Sequence, residues 1–278
     1  MEIYADYCVY LSVTCNIMTT LSERDIEIGF WRFNKVDENG FHPNDIYEVP
    51  ENVYEIERLS LNLSTLSKAT DEERKMLKKK WYPLLPTLSK LKYLWLSEKT
   101  NQKIFDEVCK IKSLEGLWLK WTSIENLENI SQLENLKHIY IGPSTKLQSL
   151  TPLTALKNLV TIHLEGLPLI SDFSCLTTTP NIEGLKIGGT MWKPQMIDTL
   201  KGFEKFEKLK YLSFINIVIA DKDSSPIRQI KSLINLDMHY RWTKHDFQSL
   251  YKSLPNLRYG DVKSVVEQDK FESYLKRK

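Results

Sequence analysis

From Leu91 onward the chain repeats one six-residue pattern, apolar-x-x-apolar-x-apolar. It runs through Leu91/Leu94/Leu96, Leu114/Leu117/Leu119, Leu136/Ile139/Ile141, Leu159/Ile162/Leu164, Ile182/Leu185/Ile187, Leu209/Leu212/Phe214 and Leu233/Leu236/Met238. The first positions advance by 23, 22, 23, 23, 27 and 24 residues, and a further 24 reaches a degenerate copy at Leu257. An upstream copy, Ile56/Leu59/Leu61, stands 35 residues before Leu91. Alternating apolar and other residues at the end of each copy predict a short strand with one face inward. Such a strand cannot bury its apolar edge alone, but equivalent neighbours stacked beside it can.

The segments between strands carry a second period. Ile124, Leu127, Ile130 and Leu133, and then Leu147, Leu150, Leu153 and Leu156, step by three. A step of three is not the α-helical 3.6, and predicts tight 3₁₀ or polyproline-like turns. Helical spacing returns in Ile104/Val108/Ile111 and Phe247/Leu250/Leu254, and the 27-residue copy predicts a helix near 194–206. The long interval before Leu91 holds a capping box at Thr70–Glu73 and a basic run, Arg74–Lys80, predicting an inserted helix over 70–82 that ends near Pro83. That run reads first as a solvated helix face, with contact to an acidic partner as the alternative. Upstream, 7–13 and 26–33 read as strands with a turn at 37–40. Val265–Leu275 reads as a closing helix, with cations at its end where the helix dipole favours them.

The repeated leucines resemble the leucine-rich repeat family over about residues 56–262. The resemblance implies an α/β fold: a right-handed solenoid with a parallel β-sheet on its concave face, a mixed 3₁₀ and helical convex side and an N-terminal β-rich cap. The irregular turns resemble bacterial members more than animal ones. The expected divisions are a β-cap or small subdomain over 1–50, the solenoid over 51–262 and a capping helix over 263–278. Many repeats of this family tie the turn after the strand with Asn, but here those places hold Thr122, Ser144, Leu167 and Thr190. Hydroxyls can substitute in part; Leu167 cannot.

Strand register then makes the concave surface predictable. The residue between the second and third apolar positions reads Trp95, Trp118, Tyr140, His163, Lys186, Ser213 and Asp237. A parallel column, one residue before the second apolar position, reads Tyr93, Gly116, His138, Thr161, Gly184, Tyr211 and Asn235. Strands about 4.8 Å apart make the run from Trp95 to Lys186 a ridge roughly 19 Å long. Lys120, Trp121 and His239 flank the sheet. Solvent-facing Trp and Tyr in a contiguous patch mark a contact surface, because such residues dominate binding hot spots. The expected partner-binding set is therefore Tyr93, Trp95, Trp118, Lys120, Trp121, His138, Tyr140, His163, Lys186, Tyr211, Asp237 and His239. The competing expectation is that the rings stack on one another, or lie beneath the N-terminal region.

Composition narrows the chemistry. Thirty-eight Lys+Arg against 36 Asp+Glu in 278 residues leave a formal charge of +2, which disfavours nucleic-acid binding driven by a basic field. No apolar run reaches membrane-spanning length, and the acidic start lacks a secretory signal's basic region. Cys8, Cys15, Cys109 and Cys175 show no paired spacing. His42, His138, His163, His239 and His245 show no metal-binding spacing, and no phosphate-binding or nucleophile motif occurs. The expectation is a cytoplasmic, non-catalytic protein-binding module without cofactor or metal, holding a protein partner on its concave aromatic face. A stoichiometric inhibitor, an immunity protein neutralising a toxin, or a scaffold regulating an enzyme are its concrete forms. Self-association through the same ridge stays open.

Overall fold

A computed structural model describes residues 21–28, 45–63, 69–239, 242–268 and 270–271. The elements, in order, are α1 (Glu23–Glu27), β1 (Arg58–Leu61), α2 (Asp71–Leu84), β2 (Tyr93–Asn101) and α3 (Gln102–Val108). There follow β3 (Gly116–Ser123), β4 (His138–Ile141), β5 (Thr161–Glu165), β6 (Gly184–Gly188) and β7 (Gln195–Ile197). The chain continues through β8 (Tyr211–Ile215), β9 (Ile217–Ile219), β10 (Asn235–His239), α4 (Lys244–Ser253) and α5 (Asp261–Glu267).

Eight of the strands form one parallel sheet in the order β1-β2-β3-β4-β5-β6-β8-β10. At the entry to each strand the backbone N–H donates to the equivalent carbonyl of the preceding coil, from Lys92 on Glu57 to Arg258 on Ile234, at 2.7–2.9 Å. Sequence period and spatial period are thus the same quantity. The register aligns Leu61, Leu96, Leu119, Ile141, Leu164, Ile187, Phe214 and Met238 in one row. All of them are buried, together with the parallel row from Leu59 to Leu236, in one continuous core. The degenerate copy at Leu257 joins by a parallel bridge between Asn235 and Tyr259.

Across from the sheet, the three-residue period gives 3₁₀ turns at Glu128–Gln132, Thr151–Ala155 and Ser174–Thr178. In each, the buried residue is the middle one of the turn, Ile130, Leu153 or Leu176. Asn residues just before the strands stitch the coils together. The Asn135, Asn158, Asn181 and Asn256 amides donate to the carbonyls of Lys112, Glu134, Lys157 and Lys231 at 2.7–2.9 Å.

Turns after the strands lack the Asn that the family resemblance implies, and the structure supplies other ties. Ser144 Oγ donates to Ile124 O at 3.2 Å. Leu167, which has no polar side chain, is held by Gln195 from the next coil. The Gln195 amide accepts from Leu167 N at 2.8 Å and donates to the carbonyls of Leu167 and Ile170 at 3.1 and 2.6 Å. At Gly142 a side chain is excluded, because a Cβ would lie 2.0 Å from Lys120 O.

The inserted helix α2 starts where the capping box places it. Thr70 Oγ1 accepts from Glu73 N, and Glu73 reaches back to Thr70 N. It carries Leu77 and Trp81 into the core. Much of its basic run is paired nearby: Arg74 with Asp71, Lys78 with Glu98, Lys80 with Glu48. Helices α3 and α4 match the helical spacings.

Three expectations fail. Residues 194–206 form no α-helix: β7 pairs in parallel with β9, and Phe203–Lys205 is a 3₁₀ turn. Gly202, whose φ of +101° lies in the left-handed region, breaks any helix through that position. Of the strand expected over 26–33, Ile26 and Glu27 belong instead to α1 and Ile28 caps it, because Ser22 and Asp25 close a capping box around the helix start; 29–33 lie outside the described residues. Helix α5 runs from Asp261 to Glu267 and so begins before the expected Val265, because its buried residues, Val262 and Val265, belong to one turn. The strand at 7–13, the turn at 37–40, Cys8, Cys15, His42 and 272–278 lie outside the described residues.

Candidate binding face

The core occupies one face of the sheet, and the expected columns stand on the other. Trp95, Trp118, Tyr140, His163, Lys186, Ser213 and Asp237 are mutually in register across seven strands. So are Tyr93, Gly116, His138, Thr161, Gly184, Tyr211 and Asn235. Trp118 stacks on Tyr140 with centroids 3.8 Å apart, and Tyr140 meets His163 edge-on at 4.5 Å. Tyr93 and Trp95 lie tilted at 6.3 Å.

Placement follows the expectation, but exposure does not. Trp95 is 1% exposed, Tyr211 2%, Tyr140 4%, His163 6% and Lys186 8%. Trp118, Tyr93, His138 and Asp237 are half-buried, and among the described side chains of the set only Lys120 and Trp121 stand in solvent, with Lys120 Nζ 5.9 Å from the Trp121 ring centroid. The His239 side chain and Tyr240 lie outside the described residues. The ridge is therefore mostly a second, smaller apolar cluster rather than an open strip of rings.

Part of its cover is α1. Leu21 and Ile26 pack in one cluster with Trp95, Tyr140, Val160 and Tyr211, bordered by Tyr93, Trp118, Ile234 and Tyr259. Polar groups of the sheet hold the segment at both ends. Leu21 N donates to Glu183 Oε2 at 2.8 Å, and Asn235 Nδ2 donates to the carbonyls of Ile26 and Glu27 at 2.6 and 3.3 Å. Glu23 pairs with Arg258 at 2.8 Å and accepts from the Tyr259 hydroxyl at 2.8 Å. Two aliphatic side chains worth about 1.5–3 kcal/mol each on full burial anchor it, so it is held far less firmly than the coil beneath.

Glu183, Val160 and Ile234 were not singled out from the sequence. They belong to a third column, at the strand entries, one step before the column of Tyr93 and Tyr211. The same column carries the ion pairs Lys92–Glu57, Lys137–Glu115 and Lys210–Glu183 between adjacent coils. Its apolar members interrupt that charge series, and this was the available signal.

Burial sets the electrostatics of the face. Desolvation, with Lys137 as a lesser cause, lowers the His138 imidazole to about 3, and His138 Nδ1 lies 2.8 Å from Thr161 Oγ1. Desolvation and then Lys186 hold His163 well below its usual range. Both rings are neutral near pH 7. Burial also depresses Lys186, against the pull of Asp237 and Glu165. Tyr140 donates to Glu165 at 2.8 Å and Tyr211 to Asp237 at 3.3 Å, and burial with those carboxylates raises both phenols. Burial and Glu115 push Tyr93 up to about 12. The two phenols thus keep their protons and hold the carboxylates of Glu165 and Asp237 beside the column.

Beyond the strand ends, a hollow of about 400 Å³ opens beside Lys186, Gly188, Gly189 and Asn216. Its lip is the loop at Thr190, whose Oγ1 accepts from Trp192 N and Lys193 N, leaving Met191 89% and Trp192 86% exposed. Among the described residues, no group of three or more His, Cys, Asp or Glu could hold a metal ion, and no helix is long and apolar enough to cross a membrane. Cys109 and Cys175 are free thiols.

No protein-family model matches the sequence, and no curated protein matches it. Solved structures match its shape. An internalin (inlF) of Listeria monocytogenes aligns with a TM-score of 0.53 and 19% identity, over 79% of this chain and 65% of that one. A leucine-rich repeat protein of Leptospira interrogans aligns at 0.49 and 18%, over 79% and 59%. Internalin C2 of Listeria monocytogenes gives 0.45 and 18%, over 56% and 64%. At 19% identity the likeness to the internalin inlF, with its TM-score of 0.53, speaks for the fold: the chain has the leucine-rich repeat architecture that its leucine spacing implied. It spans about two thirds or less of each of those chains.

Proposed function

We propose that this leucine-rich repeat solenoid is a non-catalytic protein-binding module that holds a protein partner on its concave face. The observation that carries the reading is the ring column itself. Trp118, Tyr140 and His163 are set at fixed spacing on a rigid sheet, next to the exposed pair Lys120 and Trp121. Side chains fixed before contact reduce the ordering cost of association. The mixture of Lys186 with Glu165, Glu183 and Asp237 suits a protein surface better than a nucleic-acid backbone, which rewards an unbroken basic track.

The form we favour is a stoichiometric inhibitor acting in the cytoplasm, where free thiols such as Cys109 and Cys175 persist. An immunity protein bound to a toxin, in the bacterial manner, is one version; a scaffold regulating an enzyme is another. Photo-cross-linking tests the site. A photoreactive amino acid replaces Trp118 in one protein and Glu128, on the opposite surface, in a second. One protein captured at position 118 and absent at 128, and lost again on Trp121→Ala, is the expected result. Equal capture from both positions, or capture from 128 alone, contradicts the reading.

A further inference from the structure

Resting on the reading of the concave face as a partner site, we infer that Leu21–Ile28 is a tethered occupant of that site and displays the chemistry of its ligand. The ligand class is a short acidic helix, one to two turns long, with aliphatic side chains at its first and sixth positions.

Each part of that description comes from how the sheet holds α1. Glu183 receives the N–H of Leu21 at the helix's amino end, and Asn235 donates to the carbonyls of Ile26 and Glu27 at its carboxyl end. The two carbonyls are groups that a short helix leaves unsatisfied whatever its sequence, and the Leu21 N–H lies just before the N-cap Ser22. The two clamps lie on different strands, Glu183 at the entry to β6 and Asn235 on β10, so the face measures the length of one short helix. The apolar floor that takes Leu21 and Ile26 is Tyr211 on β8, between the clamps, with Val160 and Tyr140 on the neighbouring coils beyond Glu183. Arg258 and Tyr259 converge on Glu23, which selects a carboxylate in the first turn. Ser22 and Asp25 complete the helix start and contribute no contact of their own to the clamps.

Nearly all of this cluster is separate from the continuous core that the stacked leucines build. Removing α1 from the face therefore leaves the coil intact while exposing the rings. A helix of the same chemistry on another protein competes with α1 for the same clamps. Apparent affinity is then reduced by the fraction of time the face is covered, and rises when the tether is weakened.

The test needs no partner, which separates its failure from failure of the function above. The probe is a fluorescein-labelled peptide of residues 21–28, acetylated and amidated, titrated into the full chain by anisotropy. Against wild type, a chain carrying Ile26→Asp is expected to bind at least tenfold more tightly, because its own segment no longer competes. A chain carrying Glu23→Lys, which leaves every apolar contact in place, is expected to gain less but in the same direction. Adding Asn235→Ala to Ile26→Asp should abolish the gain, as should placing Asp at position 26 of the peptide. Thermal unfolding shows each chain folded. Equal affinity for wild type and both single variants overturns the inference, and so does a gain that survives Asn235→Ala.

Discussion

Trp95→Ala is expected to lower the unfolding free energy by about 3–5 kcal/mol, the range for truncating a fully buried large aromatic side chain. Position in the register alone would give a different result, since a residue pointing away from the leucine core should be nearly neutral when truncated. Trp95 points away from that core, yet it is 1% exposed and packs in the cluster that contains Leu21 and Ile26. Its neighbour in the same column provides the comparison. Trp118 is half-buried and stacked on Tyr140 at 3.8 Å, so Trp118→Ala should lose roughly 1 kcal/mol of ring contact plus a small area term. Urea unfolding of the two single variants checks the contrast. Equal and small effects would mean that the face is open after all. Because Trp95 carries stability, only Trp118 serves as a clean probe of binding.

Acidification is expected to destabilise the fold over an unusual window, beginning near pH 6.5. His163 is 6% exposed and held far below its ordinary pKa by burial and then by Lys186. His138 is lowered to about 3 by burial and then by Lys137. An unfolded imidazole takes up its proton near 6.5, whereas the folded one resists it. Between those values the unfolded state binds more protons, so stability is fully present above 6.5 and is lost as pH falls towards the folded values. Each buried imidazole then contributes a slope of about 1.4 kcal/mol per pH unit, or roughly 2 kcal/mol between pH 7 and pH 5. His163 acts in the same direction. His138, half-open to solvent, should fall short of the full figure. Urea midpoints at pH 7, 6 and 5 measure the loss, and His163→Gln should flatten the curve even if it lowers stability at pH 7. A wild-type midpoint constant across that range would show that both rings take up protons as freely as in the unfolded chain.

Much of this was readable in the amino-acid order because the relevant physics is local. Alternation within a five-residue strand decides which side chains point away from the core, and a period of 22 to 24 residues, with one copy of 27, aligns them across coils. That is why Trp95, Trp118, Tyr140, His163, Lys186 and Asp237 fell in one column. Whether a column is wet or dry is a different question, settled by residues far away in the chain. Ile26 sits 209 residues from Asn235, and no periodicity links them. The Ser22–Asp25 box was a visible helix start, but the apolar alternation from Ile26 competed with it. Gln195 illustrates the same limit. It replaces a turn-forming Asn from 28 residues downstream, which only the stacked coils reveal.

Amide hydrogen exchange at Leu21 and Ile26 tests most directly whether α1 covers part of the ring column of the sheet. A five-residue helix without tertiary support gives no lasting protection in water. If Leu21 N–H is bonded to Glu183 and Ile26 is packed against Tyr211, both amides should exchange at least about a hundredfold more slowly than in an unfolded chain. Exchange of both at the unfolded-chain rate, with the amides of β5 and β6 still protected, would mean that α1 does not rest on the sheet.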